Sequence, residues 1–484
     1  MTLEGLTVAV AGMGPMGRGI ARVFAQAGAN VIVSDMTPEL TQGGVDAIAA
    51  ESAADGAVVA VSGAPLAEAV AHADLFIEAI VERMDAKAAL LKEVAAAAPA
   101  GLIVASNTSS LSVGEMGKEF GDPTRVAGMH FFNPPTKMKL VEVIRGAGTD
   151  PAVVSRLVEL VVAVGKTAVT CADSPNFIVN RVCRPLYYEA QLLVAEGVEP
   201  AVVDAAASGA LGHPMGPITL LDFTGLHTHL GSSETALREF GDPKYRPIPG
   251  VRALVRNGMT GRAAGRGFYD YAVEKPRAAI ERVTRPAPSG QASIAWAGPS
   301  AAEQSAGAAD VTVYSCHLPP TEADIEAVAQ LASSGPVVVD SSDAGWLEVL
   351  PAGAEWARIH GSFVEVVDDA VAGVVPGRGV ELVLAALGAT SVRVPALPGL
   401  VADRLANCMA NEASFLVEEG TASKADVDVA LRLGMNHPSG PFEYTDRVGV
   451  QQVHAGLRSM LAAFGDSRYR PSQLMRRENA GAER

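Results

Sequence analysis

A glycine-rich turn near the amino terminus constrains this sequence of 484 residues more than any other feature. Gly12, Gly14 and Gly17 form a G-x-G-x-x-G pattern between an apolar stretch at 7–11 and an Ala-rich stretch of helical periodicity. In a strand–turn–helix of this kind, the glycines permit a tight turn, a close approach of the backbone to a pyrophosphate and close packing of helix on strand. The pattern therefore predicts a dinucleotide-binding βαβ unit with the phosphates at the helix N-terminus.

An acidic residue after the next predicted strand, 30–34, supports this interpretation and favours one cofactor. Asp35 lies at the distance at which an acid takes the ribose 2′-hydroxyl, and its carboxylate would repel the 2′-phosphate of NADP. We therefore expect NAD, bound in part by Asp35 and by Met16 within the glycine turn. The alternative, a glycine turn that binds no ligand, is weakened because strand, helix and acid occur together.

Short apolar segments alternate with Ala-rich segments from 7 to 144, as in a parallel sheet wound with helices. From about 174 to 271 the apolar residues recur at helical spacing, and 286–291 has the composition of a linker. The predicted strands are 7–11, 30–34, 58–61, 75–79, 102–105, 126–130 and 140–144.

The second half of the chain repeats this helical stretch. The segment from Ser174 to Arg181 returns at Leu397 to Arg404, and the His213-Pro214 loop returns at His437-Pro438. Residues 292–386, between the copies, are predicted to be a degenerate copy of the first sheet. The expected fold is α/β, with an NAD-binding Rossmann domain at 1–172, a helical domain at 173–285, a degenerate Rossmann-like domain at 292–386 and a second helical domain at 387–484.

Composition argues against several classes of function. The formal net charge of −16 disfavours binding to nucleic acid or to an anionic membrane. The four cysteines are scattered without metal-ligand spacing, so we expect neither disulfides nor a metal site. No apolar run reaches the roughly 20 residues of a membrane span, and the first residues indicate a strand rather than a signal peptide. We expect a soluble cytoplasmic protein, and a homodimer remains possible.

A histidine at the end of a predicted buried strand indicates acid–base chemistry. His130 would lie beside the cofactor crevice, where an imidazole can remove a proton from a hydroxyl near neutral pH, and Glu142 on the returning strand can fix its tautomer. Asn107, on the cofactor side, and Ser109 follow another strand whose carboxyl end lines the crevice. A histidine in an apolar stretch is more often a core residue. Here Ser109, Glu142 and Asn180 accompany it beside a dinucleotide fold, and together they fit oxidation of a secondary alcohol.

Several sequence blocks resemble the L-3-hydroxyacyl-CoA dehydrogenase family over 7–271, and the tandem helical domains are similar to its long-form members of phenylacetate and related catabolism. The resemblance implies NAD-linked interconversion of an L-3-hydroxyacyl-CoA and the 3-oxoacyl-CoA. The blocks are GMGPMGRGIA, ADLFIEAIVE, ASNTSSLS, GMHFFNPPTKMKLVEVI, DSPNFIVNR, GHPMGPITLLD and GRAAGRGFYDY.

Residue by residue, the resemblance implies His130 as the general base and Glu142 as its partner. Ser109 would donate to the 3-oxygen, and Asn180 would steer the thioester end of the substrate or the His130 ring. The remaining implied residues are Glu82 and Lys87, near the nicotinamide half of the cofactor, and Asn133, near the reacting carbon.

Departures from the family pattern concern the CoA nucleotide. The stretch 36–82 carries eight acids and no Lys or Arg where members usually have a basic helical hairpin. Arg266 and alanines replace the usual Lys and Lys-Thr of the GRAAGRGFYDY block, and His227 replaces a frequent acid. One alternative is the same chemistry on an acyl carrier protein, although an acidic carrier would be repelled. The other is a non-catalytic NAD-binding protein, which would have no need to retain all four catalytic residues.

The repeat is expected to lack a second active site. Asp403 takes the place of Asn180, and the segment Trp296-Ala297-Gly298-Pro299-Ser300 retains no G-x-G-x-x-G. His360 follows a strand-like stretch as His130 does, but no Asn-Pro follows. We expect the second half to act through packing.

Overall fold

The computed structural model describes residues 3–57, 59–302, 304–305 and 308–482. Its strands are β1 (Thr7–Ala11), β2 (Asn30–Ser34), β3 (Ser62–Gly63), β4 (Leu75–Glu78), β5 (Ile103–Ser106), β6 (Val126–Phe131), β7 (Leu140–Arg145), β8 (Thr167–Ala172), β9 (Ile294–Ala297), β10 (Val311–Ser315), β11 (Val337–Asp340), β12 (Ala354–His360), β13 (Phe363–Val367) and β14 (Thr390–Val394).

The α-helices follow the strand–helix alternation of the sequence up to β8 and dominate after it. They are α1 (Pro15–Gln26), α2 (Pro38–Ala54), α3 (Leu66–Ala71), α4 (Met84–Ala97), α5 (Val113–Phe120), α6 (Pro151–Ala163), α7 (Val179–Val182), α8 (Arg184–Ala195), α9 (Pro200–Leu211), α10 (Pro217–Thr224), α11 (Leu226–Phe240), α12 (Pro249–Arg256), α13 (Pro276–Val283), α14 (Glu322–Ser334), α15 (Trp346–Val349), α16 (Arg378–Leu387), α17 (Ala402–Glu418), α18 (Lys424–Gly434), α19 (Pro441–Val448), α20 (Val450–Phe464) and α21 (Gln473–Ala482). Among the described residues, no helix combines the length and the hydropathy that crossing a membrane requires.

One compact unit, Met1–Arg181 with Glu419–Asn436, is built on an eight-stranded sheet. The strand order is β3-β2-β1-β4-β5-β6-β7-β8, and neighbouring strands are parallel except for β6 and β7. The order reverses between β1 and β4, and in such sheets the crevice at the carboxyl ends of these strands is where a dinucleotide binds. The α/β fold with a Rossmann-type sheet is therefore confirmed.

Two strand predictions were wrong in detail. Residue 58 of the strand predicted at 58–61 lies outside the described residues, and the edge strand is the shorter Ser62–Gly63, paired with β2. The prediction omitted Thr167–Ala172, which alternates exposed and buried residues at the other edge. Both residues of Ser62–Gly63 are exposed, so apolar patterning, which reports the side chains that face the core, gives no signal for this strand.

The acidic stretch begins with the helix α2, capped by the Thr37 side chain, which accepts from the Leu40 N–H. Its acids pair with arginines of α1: Glu51 lies 3.0 Å from Arg18, and Arg22 contacts both Glu51 and Asp55. Both arginines of α1 are thereby engaged by protein carboxylates.

The other compact unit, Val182–Glu418 with His437–Arg484, contains a six-stranded sheet of order β14-β13-β12-β11-β10-β9. This order matches β8-β7-β6-β5-β4-β1 of the first sheet, and the antiparallel pair, β12 with β13, stands at the same place. Gly298 has φ +94°, as Gly12 has +96°, and a Cβ on either would meet a backbone oxygen at 2.5 Å. The predicted degenerate sheet is therefore confirmed; among the described residues it has no counterparts of β2 and β3.

The two helical copies exchange helices between the sheets. In the first unit α18, from the second copy, packs on β7 and β8, whereas in the second unit α9, from the first copy, packs on β13 and β14. Within the second unit α8 packs along α17. The fully buried Arg404 of α17 lies 2.7 Å from Glu189 and 2.6 Å from Glu196.

Candidate active site

His130 and Glu142 face each other across the antiparallel pair β6–β7. The His130 Nδ1 and a Glu142 oxygen are 2.7 Å apart, and Glu142 is fully buried. Its other oxygen accepts the backbone N–H groups of Ile178 and Val179, at 3.2 and 2.9 Å. Because the carboxylate is fixed from both sides, it holds the ring with Nδ1 toward Glu142 and leaves Nε2 for a substrate proton.

Asn107 fixes the end of the strand that carries His130. Its Oδ1 accepts the Phe131 N–H at 2.8 Å, which ties the loop after β5 to the end of β6. Asn133, two residues beyond Phe131, is exposed at the start of the following loop. The backbone around the histidine is therefore set by a side chain of the neighbouring strand.

A hydrogen-bond hub joins Glu82 to the loop that carries Ser109. One Glu82 oxygen accepts from the Thr108 hydroxyl at 2.8 Å and from the Ser109 N–H and hydroxyl at 2.8 and 3.1 Å. Burial tends to raise the pKa of Glu82, but the Lys87 ammonium and these hydrogen bonds outweigh burial and hold the pKa below its usual value. The side chain is thus an anion that positions the Ser109 loop.

Lys87 is buried between two carboxylates. Its Nζ lies 2.6 Å from Glu78 and 3.3 Å from Glu82, and its side chain is 1% exposed. This geometry connects Lys87 to the site through Glu82.

Asn180 lies beside the same loop, with its Nδ2 3.5 Å from the Ser109 carbonyl oxygen. It lies in the short helix α7, which follows two residues with positive φ, Asn176 at +65° and Phe177 at +50°. The structure therefore brings all four predicted catalytic residues, His130, Glu142, Ser109 and Asn180, into one unit.

The glycine turn has the shape that a dinucleotide phosphate requires. A Cβ on Gly17 would meet the Gly12 oxygen at 1.8 Å, whereas a Cβ on Gly14 would meet nothing within 4 Å. Gly14 is the N-cap of α1 and provides no side-chain cap, so backbone N–H groups face the open space. The Asp35 carboxylate accepts the Met13 N–H at 2.7 Å, which places it against this turn. Met16, at the start of α1, is half-buried. These residues fit NAD.

Sequence reasoning missed three buried residues that support the site. Glu78 accepts from Lys87 and from the Ser106 hydroxyl, at 2.6 and 2.5 Å. The Thr108 hydroxyl accepts the N–H groups of Ser110 and Leu111. Their position at strand ends could have identified two of them, since Glu78 and Ser106 end neighbouring parallel strands.

In the second sheet, the residue that corresponds to His130 is not His360, as the sequence had suggested. The cross-strand neighbour of Glu365 is Arg358, whereas His360 comes two residues later and reaches back to Glu365 at 2.9 Å. Asp340 accepts the Ile359 N–H as Asn107 accepts that of Phe131. His360 was therefore wrongly matched to His130, because the shorter β12–β13 turn shifts the register by two residues.

Comparison with known proteins gives two family matches. The NAD-binding domain of 3-hydroxyacyl-CoA dehydrogenase matches residues 7–174, and the C-terminal domain of that family matches 177–271 and again 399–480. The second match covers both helical copies, as expected for a duplication.

Individual relatives and a solved structure agree with these family matches. The chain is 33% identical to the 3-hydroxyadipyl-CoA dehydrogenase of Escherichia coli, over 98% of each chain. It is 41% identical to the probable 3-hydroxybutyryl-CoA dehydrogenase of Bacillus subtilis, over 54% of this chain and 96% of that protein. A crystal structure of 3-hydroxybutyryl-CoA dehydrogenase from Escherichia coli matches with a TM-score of 0.80 and 31% identity, covering 98% of both chains.

Proposed function

The chain belongs to the 3-hydroxyacyl-CoA dehydrogenase family and is an NAD-dependent oxidoreductase of 3-hydroxyacyl-CoA, and from this membership we propose that His130 is its general base. The observation that carries the proposal is the fixed pair of His130 and Glu142, with Nδ1 2.7 Å from a carboxylate that two backbone N–H groups hold in place. The Nε2 lone pair takes the proton of the 3-hydroxyl group, and Glu142 stabilises the imidazolium that forms.

NAD, when bound, supplies the hydride acceptor for C3, so that the products are the 3-oxoacyl-CoA, NADH and one proton. The chain orients the reactants. The Ser109 hydroxyl exchanges its Glu82 acceptor for the 3-oxygen of the substrate and donates to it. Asn180 holds the thioester end, and Asn133 lies by the reacting carbon. Glu82, held as an anion by Lys87, fixes the Ser109 loop beside the nicotinamide.

The cofactor turn acts through its backbone. Gly12, Gly14 and Gly17 admit the pyrophosphate to the N-terminus of α1, and Asp35 accepts from the ribose hydroxyls. Asn107 holds the end of β6 in register. Together these residues position the two reactants, which supplies much of the rate enhancement in hydride transfer.

The relatives differ in the acyl group that their names specify. One name specifies 3-hydroxyadipyl-CoA, whose acyl chain ends in a carboxylate, and others specify 3-hydroxybutyryl-CoA, whose short chain does not. Both names contain CoA, which favours CoA over a carrier protein as the handle for this chain as well.

We also propose a cytoplasmic location, since all four cysteines are free and a reducing compartment keeps thiols in that state. A homodimer stays a prediction.

The test follows NADH absorbance with acetoacetyl-CoA as substrate. Wild-type protein should oxidise NADH, and His130→Gln should lower turnover by at least about a hundredfold, because loss of a general base costs 10² to 10⁴. His360→Gln is the matched control, since it removes a second histidine that contacts a buried glutamate, Glu365, and should leave turnover unchanged. No oxidation by the wild type, or equal effects of the two substitutions, would contradict the proposal.

A further inference from the structure

A short segment of the second helical copy, Glu419–Asn436, belongs to the same compact unit as the proposed active site. This inserted segment contains helix α18, which packs on β8 and on β7, the strand that carries Glu142. Its Thr421 carbonyl oxygen accepts the Ala172 N–H of β8 at 2.8 Å. The unit that carries the site is therefore completed by residues from the second half of the chain.

A bidentate ion pair joins the inserted segment to helix α7. The Arg181 side chain is 1% exposed, and its Nη1 and Nη2 lie 2.7 and 2.9 Å from the two Glu419 carboxylate oxygens. The Arg181 Nη1 also donates to the Ser174 hydroxyl at 3.4 Å, across the turn that precedes α7. Two N–H···O bonds of this kind fix direction as well as distance. Glu419 therefore fixes the residue that follows Asn180.

The turn before α7 carries the groups that hold Glu142. The Ile178 and Val179 N–H groups donate to one Glu142 oxygen, at 3.2 and 2.9 Å. Phe177 has φ +50°, a left-handed conformation that is unfavourable for a bulky residue and persists only where the surroundings hold it. The turn therefore needs support from other parts of the unit, and the ion pair with the inserted segment supplies it.

The inserted segment approaches the same groups at a second place. At the end of α18, a Cβ on Gly434 would come within 2.9 Å of the Leu140 side chain and 3.0 Å of the Val179 side chain. Leu140 begins β7, two residues before Glu142, and the Val179 N–H donates to Glu142. Gly434 thus lets the helix pack closely against both stretches of chain that position this glutamate.

We propose that the inserted segment positions the active site and that Glu419 is its positioning residue, acting through Arg181 on the turn that holds Glu142. The inference rests on the proposed function, in which Glu142 orients His130. When the ion pair is lost, the turn relaxes and Glu142 loses its backbone donors. The His130 ring then loses its fixed orientation. The second half of the chain therefore contributes to catalysis as well as to packing.

The second unit contains an equivalent ion pair, which provides a matched control. Glu196 and Arg404 are the repeat counterparts of Glu419 and Arg181. The Arg404 Nη1 and Nη2 lie 2.6 and 2.9 Å from the two Glu196 oxygens. In this copy the turn donates to Glu365, whose cross-strand neighbour is an arginine rather than the proposed base. Loss of this second pair should therefore leave the chemistry intact.

The test compares Glu419→Gln with Glu196→Gln in the full chain, with acetoacetyl-CoA and NADH as substrates. Each amide removes the negative charge and one of the two acceptors of the guanidinium. Glu419→Gln should lower kcat by at least about tenfold, since misplacement of a reacting group by about 1 Å can cost a hundredfold. The Kd for NADH, from fluorescence titration, should not change. Glu196→Gln should leave kcat within about twofold.

A double-mutant cycle separates positioning from a general loss of structure. In a protein that already carries Glu142→Gln, the further substitution Glu419→Gln should lower kcat by less than about twofold, because residues that act through one contact have effects that do not add. A loss that is unrelated to Glu142 would instead lower kcat by the same factor in both backgrounds.

A second pair of variants decides the question if Glu419→Gln does not fold. Lysine retains the charge of arginine but not its two-pronged geometry. Arg181→Lys should lower kcat with an unchanged Kd for NADH, whereas Arg404→Lys should leave kcat within about twofold.

Three results would overturn the inference: a wild-type kcat in Glu419→Gln, equal losses in the Glu419 and Glu196 variants, or losses that add fully to that of Glu142→Gln. Wild-type inactivity, or a wild-type kcat in His130→Gln, would instead overturn the proposed function, and with it this inference.

Discussion

Arg358 lies directly across from Glu365 in the antiparallel pair β12–β13, the position that His130 occupies across from Glu142 in the first sheet. The Arg358 Nε is 2.7 Å from Asp403, which takes the place of Asn180 of the candidate active site. A guanidinium cannot act as a base near neutral pH. The second sheet thus keeps the glutamate of the site but fills the place of the histidine with a buried ion pair.

Asp403→Ala should therefore destabilise the protein while leaving catalysis intact. Burial opposes ionisation, but the Arg358 charge holds the pKa of Asp403 below its usual value. Removing one partner of a buried pair costs about 3–5 kcal/mol. Urea unfolding should show this loss, and turnover of the folded fraction should stay within about twofold, since the change is remote from the chemistry. Unchanged stability would mean that Arg358 finds a sufficient partner in Asp340, 3.2 Å away.

Glu142→Gln should lower turnover without weakening NADH binding. The amide cannot balance the charge of a protonated His130, and its NH₂ group cannot accept from the backbone as the carboxylate does. We expect a loss of at least about tenfold in turnover, smaller than the 10² to 10⁴ for loss of a general base, because His130 itself is retained. NADH fluorescence titration gives the binding constant. Wild-type turnover in this variant would remove Glu142 from the mechanism.

Asp35→Ala should narrow the preference for NAD over NADP. The carboxylate stands against the glycine turn, where a 2′-phosphate would meet its negative charge. The ratio of kcat/KM with NAD to kcat/KM with NADP measures this preference. Asp55→Ala is the control, because it removes an acid at the end of α2 that contacts Arg22. A wild type that prefers NADP would contradict the assignment of Asp35.

Binding of the CoA nucleotide should contribute little to substrate affinity. The helix that follows β2 is acidic, and the nearby Arg18 and Arg22 are paired with Glu51. We expect the KM values of an acyl-CoA and its pantetheine analogue to differ by less than about tenfold, roughly 1.4 kcal/mol. A larger difference between the two KM values would indicate that other basic residues, such as Lys137 and Lys139, bind the CoA phosphates.

The sequence predicted most of the fold, and it suggested the candidate residues Asp35 and His130, because those features are local. The glycine turn, the acid after β2 and the histidine at the end of β6 each depend on a few consecutive residues. Register is not local: a turn shorter than that of the first sheet placed Arg358, rather than His360, opposite Glu365. The ion pairs of Arg404 with Glu189 and Glu196 could not be read from the sequence either, since they join residues that lie far apart in the chain.

A stacked pair of buried histidines should make stability fall in acid. His213 and His437, from the repeated His-Pro loops, have ring centroids 3.7 Å apart and an interplanar angle of 7°. Burial lowers the pKa of His213 to about 4, and burial together with the charge of His213 lowers that of His437 to about 2. Above pH about 6.5, the unfolded value, both rings are neutral in both states and contribute no pH dependence.

Below that pH the unfolded chain binds protons that the folded chain excludes, so the free energy of unfolding decreases as pH falls from about 6.5 to about 4, by up to about 1.4 kcal/mol per pH unit for each histidine. Urea unfolding at a series of pH values measures this slope. The double substitution His213→Phe with His437→Phe keeps two stacked rings and removes both titrating groups. The slope of the unfolding free energy against pH should therefore decrease by the contribution of about two protons. The slope should not vanish, because the pKa of His229 is also lowered, to about 3. A double variant with the wild-type slope would show that the pair is solvated or protonated in the folded protein.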